Sequence, residues 1–338
     1  MARFLRTAGA VIVVLLLLFV GFWFWASSGT LPESERAQVN NYGSSTFPSD
    51  TVSVMTYNIG YLSGMTNNEP VEREKALYDR NLETAIELIE TADPDIVAFQ
   101  EIDFAAARSF GVHQLDTLAQ RLSYPTAAKV VNWDVRYLPF PYGWPSVHFG
   151  QVISGQAVLS RYPIVKHERT VLAETSRPYV SRVFYLDRLA QQTDIVVGED
   201  TLSVVNVHLE AFEDSVRRVQ ATEVRALLQP LVASQRPVLL IGDFNAIPDD
   251  PNDKTLQLAT AGFDLKRAMP SVSSPSGTYP ARDPKAMIDH IFYTPAHIEP
   301  IATAIHCGPA DDPPSDHCAV SMRFALSSDS TAEMSTAP

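Results

Sequence analysis

From Val52 to Leu326 short apolar runs recur along the chain: VSVMTYNI, DIVAFQEI, AVLSRYPIV, RVFYLDRL, LSVVNVHL, PVLLIGDF, MIDHIFYT and CAVSMRFAL. Several alternate apolar with polar side chains, and others are unbroken β-rich runs of the kind covered on both faces. Eight or more strands are therefore predicted. Two stretches repeat at helical spacing instead. Leu82, Ala85, Ile86 and Ile89 share one face, and Val216, Val219, Val224, Leu227, Leu228 and Leu231 share another. Strands interleaved with helices at this density predict two packed sheets with helices outside, an α/β sandwich of four layers. One stretch fits neither period: Asn132 to Phe149, NWDVRYLPFPYGWPSVHF, is long, aromatic and broken by prolines, and is read as irregular.

Ahead of this pattern stands a different one. Arg3 and Arg6 precede an uncharged apolar run from Thr7 to Ala26, about the length needed to cross a bilayer as a helix. Phe22, Trp23, Phe24 and Trp25 gather at one end of it, where aromatic rings favour the headgroup level. A retained transmembrane anchor is the preferred reading; Ala26-Ser27-Ser28 would also pass as a small-x-small cleavage site, which makes secretion the alternative. The positive charge lies N-terminal to the run and the residues after it are net acidic, so the remainder is placed outside the cytoplasm, in the periplasm or exterior. The expected organisation is a short tail over 1–6, the anchor over 7–26, a flexible polar linker over 27–50, a catalytic domain over 51–326 and a disordered tail over 327–338.

Composition narrows the classes. The 338 residues carry a formal charge of -13, so the molecule as a whole repels a phosphate backbone, which argues against a general nucleic-acid binder. Two cysteines, Cys307 and Cys318, are too few for a zinc cluster or a disulfide scaffold; one disulfide or two buried thiols both remain open on spacing alone. No obligate protein partner is evident.

What adds chemistry is where the apolar runs stop. Asn58 ends the first and Glu101 the second; His208 ends LSVVNVHL; Asp243 and Asn245 close VLLIGDFN; Asp289 and His290 sit in MIDHIF; Asp316 and His317 precede CAVSMRF. Any one of these has an ordinary reading as turn chemistry. Jointly, several acids near strand ends are costly to bury without a compensating ion, and oxygen-rich ligands suit Mg²⁺ or Mn²⁺ rather than zinc or copper.

The ordered set YNIG, AFQEID, LSRYPI, VNVHLEAF, IGDFNAIP, MIDHIFYT and PSDHCAV resembles the endonuclease/exonuclease/phosphatase superfamily over about residues 51 to 326. The resemblance implies two packed mixed β-sheets flanked by helices and a divalent-metal-dependent phosphoesterase. It implies Glu101 as principal metal ligand, with Asn58 and Asp316 contributing to the metal or phosphate shell. Asp243 and Asn245 would hold the attacking water, His317 would contact the scissile phosphate and be oriented by Asp289, and His208 would steady a non-bridging oxygen. Whether Asp243 or His317 takes the proton stays open. Arg161 in LSRYPI is read as structural.

Two positions depart from the DNA-repair branch: Gly60 stands where those nucleases carry an acid, and His208 where they carry a tyrosine. With the putting of the domain at a membrane and the acidic balance, they favour a phospholipid headgroup or another small phosphoester at the outer face. An extracytoplasmic DNA or RNA nuclease is the alternative, with Arg217, Arg218 and Arg225 as contributors to a basic groove or else a solvated helix face. A non-catalytic binding module on the same fold is the third reading. The aromatic stretch with Trp133, Tyr137, Phe140, Tyr142 and Trp144 is read as a substrate-side rim, an interfacial contact or a packed lid.

Overall fold

The strands sort into two sheets that meet face to face. In the computed structural model, which describes residues 1–45, 50–270 and 275–327, the first sheet has seven strands. They are β1 (Ala37–Asn41), β2 (Val52–Asn58), β3 (Ile96–Ala106), β4 (Thr126–Leu138), β5 (Gly150–Ser160), β12 (Ile298–His306) and β13 (Ala319–Leu326), in the order β1-β4-β5-β3-β2-β13-β12. The second holds β6 (Ile164–Val171), β7 (Leu189–Val197), β8 (Asp200–His208), β9 (Val238–Asp243), β10 (Lys266–Arg267) and β11 (Asp289–Tyr293), in the order β10-β11-β9-β8-β7-β6. Each sheet is mixed, with a single parallel pair near its centre, β2 with β3 and β8 with β9. The two helices expected from periodicity are α2 (Lys75–Ala92) and α5 (Asp214–Ala233), joined by α1 (Ala2–Ser27), α3 (Gln114–Arg121), α4 (Tyr179–Arg182) and α6 (Thr255–Thr260).

Three apolar clusters fill the spaces between the layers. Val54, Ala98 and Met322 of the first sheet face Val204, Ile241 and Ile291 of the second. Ile86 and Ile89 of α2 and Leu118 of α3 cover the outer face of the first sheet, and Val224 and Leu228 of α5 cover that of the second. Helix, sheet, sheet and helix make the four-layer sandwich. It explains why β2 and β9 are buried at every position: a central strand with apolar matter on both faces has no side left for water. Amides join the sheets beneath their C-terminal edge, where Gln100 Nε2 donates to Asn206 Oδ1 at 2.6 Å and Asn206 Nδ2 donates to Gln191 Oε1 at 3.1 Å.

Several expectations change. RVFYLDRL holds no strand beyond its last residue: the end of α4 and a turn occupy it, and β7 begins only at Leu189. The stretch 132–149 is irregular only in part, because β4 runs on to Leu138. In α5 the buried stripe is Arg217, Gln220, Ala221, Val224 and Leu228, while Val219 is exposed. Part of the expected linker is ordered, since β1 pairs antiparallel with β4 and the Asp134 carboxylate accepts from the backbone N–H groups of Thr30 and Leu31. Residues 46–49 of that linker, and all but Ser327 of the expected tail, fall outside the described residues.

Helix α1 is apolar enough over Arg3–Ser27 to be a membrane span or a signal sequence. Cys307 and Cys318 form a disulfide. Arg161 pairs with Asp93 and Asp95.

Candidate active site

Parallel pairing decides where the polar residues meet. Because β2 and β3 run together, Asn58 and Glu101 emerge at one edge of the first sheet; β8 and β9 do the same for His208 and Asp243, which are opposed in register. Two antiparallel neighbours start at that edge. Asp289 opens β11 directly opposite Asp243, and His317 lies just before β13, which pairs antiparallel with β2. The C-terminal edges of both sheets thus face one another across a polar gap.

Backbone shape refines the aim. A register shift in β3 between Phe99 and Ile102 leaves Glu101 with φ 51°, and Asn245 has φ 49°. Non-glycine residues in this left-handed region cost of order 1–3 kcal/mol and persist only where surrounding structure holds them. A bulge turns Glu101 out of the strand's alternation.

Asp243 is the hub. Asn58 Nδ2 donates to its Oδ2 at 3.0 Å and the Asn245 backbone N–H to its Oδ1 at 2.9 Å. His208 Nε2 lies 3.6 Å and His317 Nε2 3.9 Å from the same Oδ2. His317 Nδ1 meets Asp289 Oδ2 at 3.0 Å, and its ring packs on Tyr279 with centroids 5.0 Å apart. Asn245 Nδ2 is tied to the Leu209 carbonyl at 3.0 Å, which braces this end of β8 against β9.

Charge follows burial. Desolvation, then the nearby Asp289 carboxylate, lifts Asp243 to about 7. Burial lowers His317, but the carboxylates of Asp289 and Asp243 outweigh it and hold its proton well above the usual range. His208 goes the other way: burial first, then the charges of Arg188 and His317, keep it neutral. His290, by contrast, is buried with Nε2 at 3.0 Å from the Ala246 carbonyl and shifted down to about 4 by burial, so it braces the loop after β9.

Two places collect acids. Asp243, Asp289 and His317 offer atoms within 4.8 Å of one another and could hold a metal ion. The second place lies around Glu101 and Asp316. Asn67 Nδ2 donates to Glu101 Oε2 at 2.9 Å and reaches both Asp316 oxygens at 3.4 Å, so one amide spans two carboxylates. Asn67 Oδ1 is buried without a partner among the described residues, and burial raises Asp316 to about 6, with Glu101 adding to the effect and His317 opposing it. An oxygen-only donor set with an orphaned amide oxygen fits a hard divalent cation.

All eight predicted residues come to this one edge. Asn58 is placed between the two groups, its Nδ2 toward Asp243 and its Oδ1 accepting from the Gly60 N–H at 3.1 Å. Asn67, Ser315, Tyr279 and Arg188 were not legible in the sequence. Ser315 Oγ donates to the Asn58 carbonyl at 2.7 Å and accepts from the His317 N–H, clipping the Asp316–His317 loop onto β2. Asn67 lies in a loop without periodicity, and only its contacts reveal it. Arg188 Nε donates to Glu210 Oε2 at 3.3 Å, while its Nη1 is buried without a partner among the described residues. Its position just ahead of β7, in a run already rich in charge, gives no signal by itself.

The family model described as Endonuclease/Exonuclease/phosphatase family matches residues 55–317. No curated protein matches the sequence. Among solved structures, the endonuclease/exonuclease/phosphatase from Beutenbergia cavernae is similar with a TM-score of 0.61 at 20% identity, covering 82% of this chain and 72% of that one. The human Nocturnin catalytic domain with bound sulfate has a TM-score of 0.57 at 16% identity, covering 88% and 100%. A Bacteroides thetaiotaomicron mannosyl-6-phosphatase has 0.57 at 16%, covering 81% and 99%. At these identities the likeness is one of fold.

Proposed function

Since the chain belongs to the endonuclease/exonuclease/phosphatase family, we propose that it hydrolyses a phosphodiester by in-line attack of a water held at Asp243. The observation that carries this is the convergence of Asn58, His208 and His317 on Asp243 Oδ2 across the two sheets. Asp243 orients the water and takes its proton, and Asn245 fixes Asp243 through its backbone N–H. His317, held by Asp289, presents its proton to a phosphoryl oxygen; His208, neutral, donates to a second. Glu101, Asp316 and Asn58 would hold Mg²⁺ or Mn²⁺, and the ion would offset the charge that develops on the phosphoryl oxygens. Phosphoryl transfer needs placement more than covalent chemistry, and a rigid sheet edge supplies placement.

The substrate reading is a lipid headgroup or other small phosphoester at the outer membrane face. It is supported by the apolar α1, by the acidic balance, and by the engagement of two arginines a basic groove would need. Arg217 is buried against the Glu210 carbonyl and Asp253, and Arg225 Nε donates to the Ala261 carbonyl at 2.6 Å.

Asp243→Ala and His317→Ala are expected to lower Mg²⁺-dependent diester hydrolysis by roughly a hundredfold to ten-thousandfold with an unchanged circular-dichroism spectrum. Wild-type turnover in either removes the mechanism. A panel of sphingomyelin, other phospholipids, inositol phosphates and plasmid DNA tests the substrate, and cleavage of DNA alone rejects the lipid reading.

A further inference from the structure

The last turns of α1 are docked on the catalytic domain. The Trp23 ring packs against Tyr179 and Phe184 with centroids 5.8 and 6.2 Å apart, and its Nε1 donates to the Val180 carbonyl at 3.2 Å. Phe22 meets Tyr137 edge-on at 5.8 Å, and Ala26 is fully buried. No slack follows: the Arg136 N–H donates to the Ser28 carbonyl at 3.1 Å, and the Asp134 carboxylate accepts from Thr30 and Leu31. A helix gripped in this way fixes which side of the domain meets a membrane. A hydrocarbon core about 30 Å thick takes about 20 helical residues. Counted from Arg6, that length ends near Ala26, so Phe22, Trp23 and the residues they touch lie at the apolar boundary.

Around the dock the domain is unexpectedly apolar. Trp144 and Tyr142, 83% and 79% exposed, are the most exposed large apolar side chains of the domain among the described residues, and Tyr179 and Val180 are also exposed. The two groups are physically continuous. Tyr137, against Phe22, bonds through its hydroxyl to His148 Nδ1 at 2.8 Å; His148 Nε2 donates to the carbonyl of Gly143, which stands between Tyr142 and Trp144. Phe140 and Phe149, packed in the cluster with Trp133, support the loop from behind.

We propose that Tyr142, Trp144, Tyr179 and Val180 enter the interfacial layer of a phospholipid bilayer beside α1 and seat the catalytic domain on the membrane in one orientation. The inference rests on the reading of α1 as a membrane span. A lipid surface is favoured as the occupant because the patch continues a helix of membrane length, and three of its four side chains are Tyr or Trp, whose rings are apolar with a polar edge and settle at the headgroup level. The orientation carries a functional consequence. A cleft of about 200 Å³, lined by Tyr179, Arg182, Tyr185, Arg188 and Glu210, opens beside the patch, and Glu210 lies two residues beyond His208. The proposed seating would set this cleft, whose lining includes Arg182 and Arg188, at the headgroup level.

The test uses the full chain in phosphatidylcholine and phosphatidylglycerol nanodiscs, spin-labelled one site at a time at Trp144→Cys, Val180→Cys, Leu15→Cys and Ile301→Cys; the native cysteines are joined to each other. Ile301 lies on β12, at the opposite edge of its sheet from β1 and β4. Relaxation by oxygen relative to a water-soluble nickel chelate is expected to be several-fold higher at 144 and 180 than at 301, and highest at 15. Labels at 144 and 180 that match 301 while 15 is embedded overturn the proposal and leave the span standing. A water-like reading at 15 overturns both.

Discussion

A carboxylate or imidazole takes its character from what surrounds it, and the sheet edge that carries the candidate site shows this one residue at a time. Asn67 is the clearest case, because a single amide keeps Glu101 and Asp316 at one another's reach. Asn67→Ala is expected to raise the Mg²⁺ concentration for half-maximal activity roughly tenfold, the scale typical of a partner that orients a metal ligand. Thermal unfolding in EDTA should hardly change; titration of activity with Mg²⁺ checks the first and a melting curve in EDTA the second. Away from the site, His167 on β6 makes a pH prediction. Burial lowers it to about 4, and Gln191 Nε2 donates to its Nε2 at 3.1 Å, a bond that only the neutral ring can accept. The unfolded chain binds this proton near pH 6.5 and the folded one near 4, so stability is complete above the first value and falls as pH drops toward the second. Because the ring is partly exposed, the loss is about 1 kcal/mol. His167→Gln should flatten the fall in urea midpoint between pH 6.5 and 4.5.

Elements matter through the loops they tie down. The disulfide between Cys307 and Cys318 closes an eleven-residue separation that carries Asp316 and His317, joining the end of β12 to the start of β13. Loop closure of this size is worth about 3 kcal/mol by chain entropy. Replacing both cysteines with serine should lower stability by about that amount, measured by urea unfolding without reductant, and should weaken Mg²⁺ activation further, because two site residues lie inside the freed loop. The same scale explains α5. Its periodicity promised a face of Val216, Val219, Val224, Leu227, Leu228 and Leu231; Val224, Leu227, Leu228 and Leu231 pack as expected, but Val219 is exposed and Arg217 and Gln220 join the buried stripe. Gln220 Oε1 accepts the Glu210 N–H at 2.8 Å and Arg217 Nη1 donates to the Glu210 carbonyl at 2.9 Å, so the helix anchors the loop after His208 through polar bonds.

At the scale of the whole molecule, the proposed topology places everything after α1 outside the cytoplasm. Protease added to intact spheroplasts should then digest the catalytic domain, as read by an antibody against it, and complete protection would reverse the orientation. The sequence by itself determined the strand-rich sandwich, the helical faces from Leu82 to Ile89 and from Val216 to Leu231, the apolar N-terminal segment and the eight residues that gather at the sheet edges. Each of those is written in local periodicity, or in motifs whose strand ends fix the residue that follows. Only tertiary structure decided that Arg217 and Gln220 join the buried stripe of α5, that β1 closes onto β4, that the cysteines are joined, and that Asn67, Ser315 and Arg188 lie beside the candidate site. The physical reason is common to all of them. Local sequence sets which side chain leaves a strand end, but a hydrogen bond between residues such as Asn67 and Asp316, 249 positions apart, exists only once β13 has paired with β2 and brought the loops beside them together.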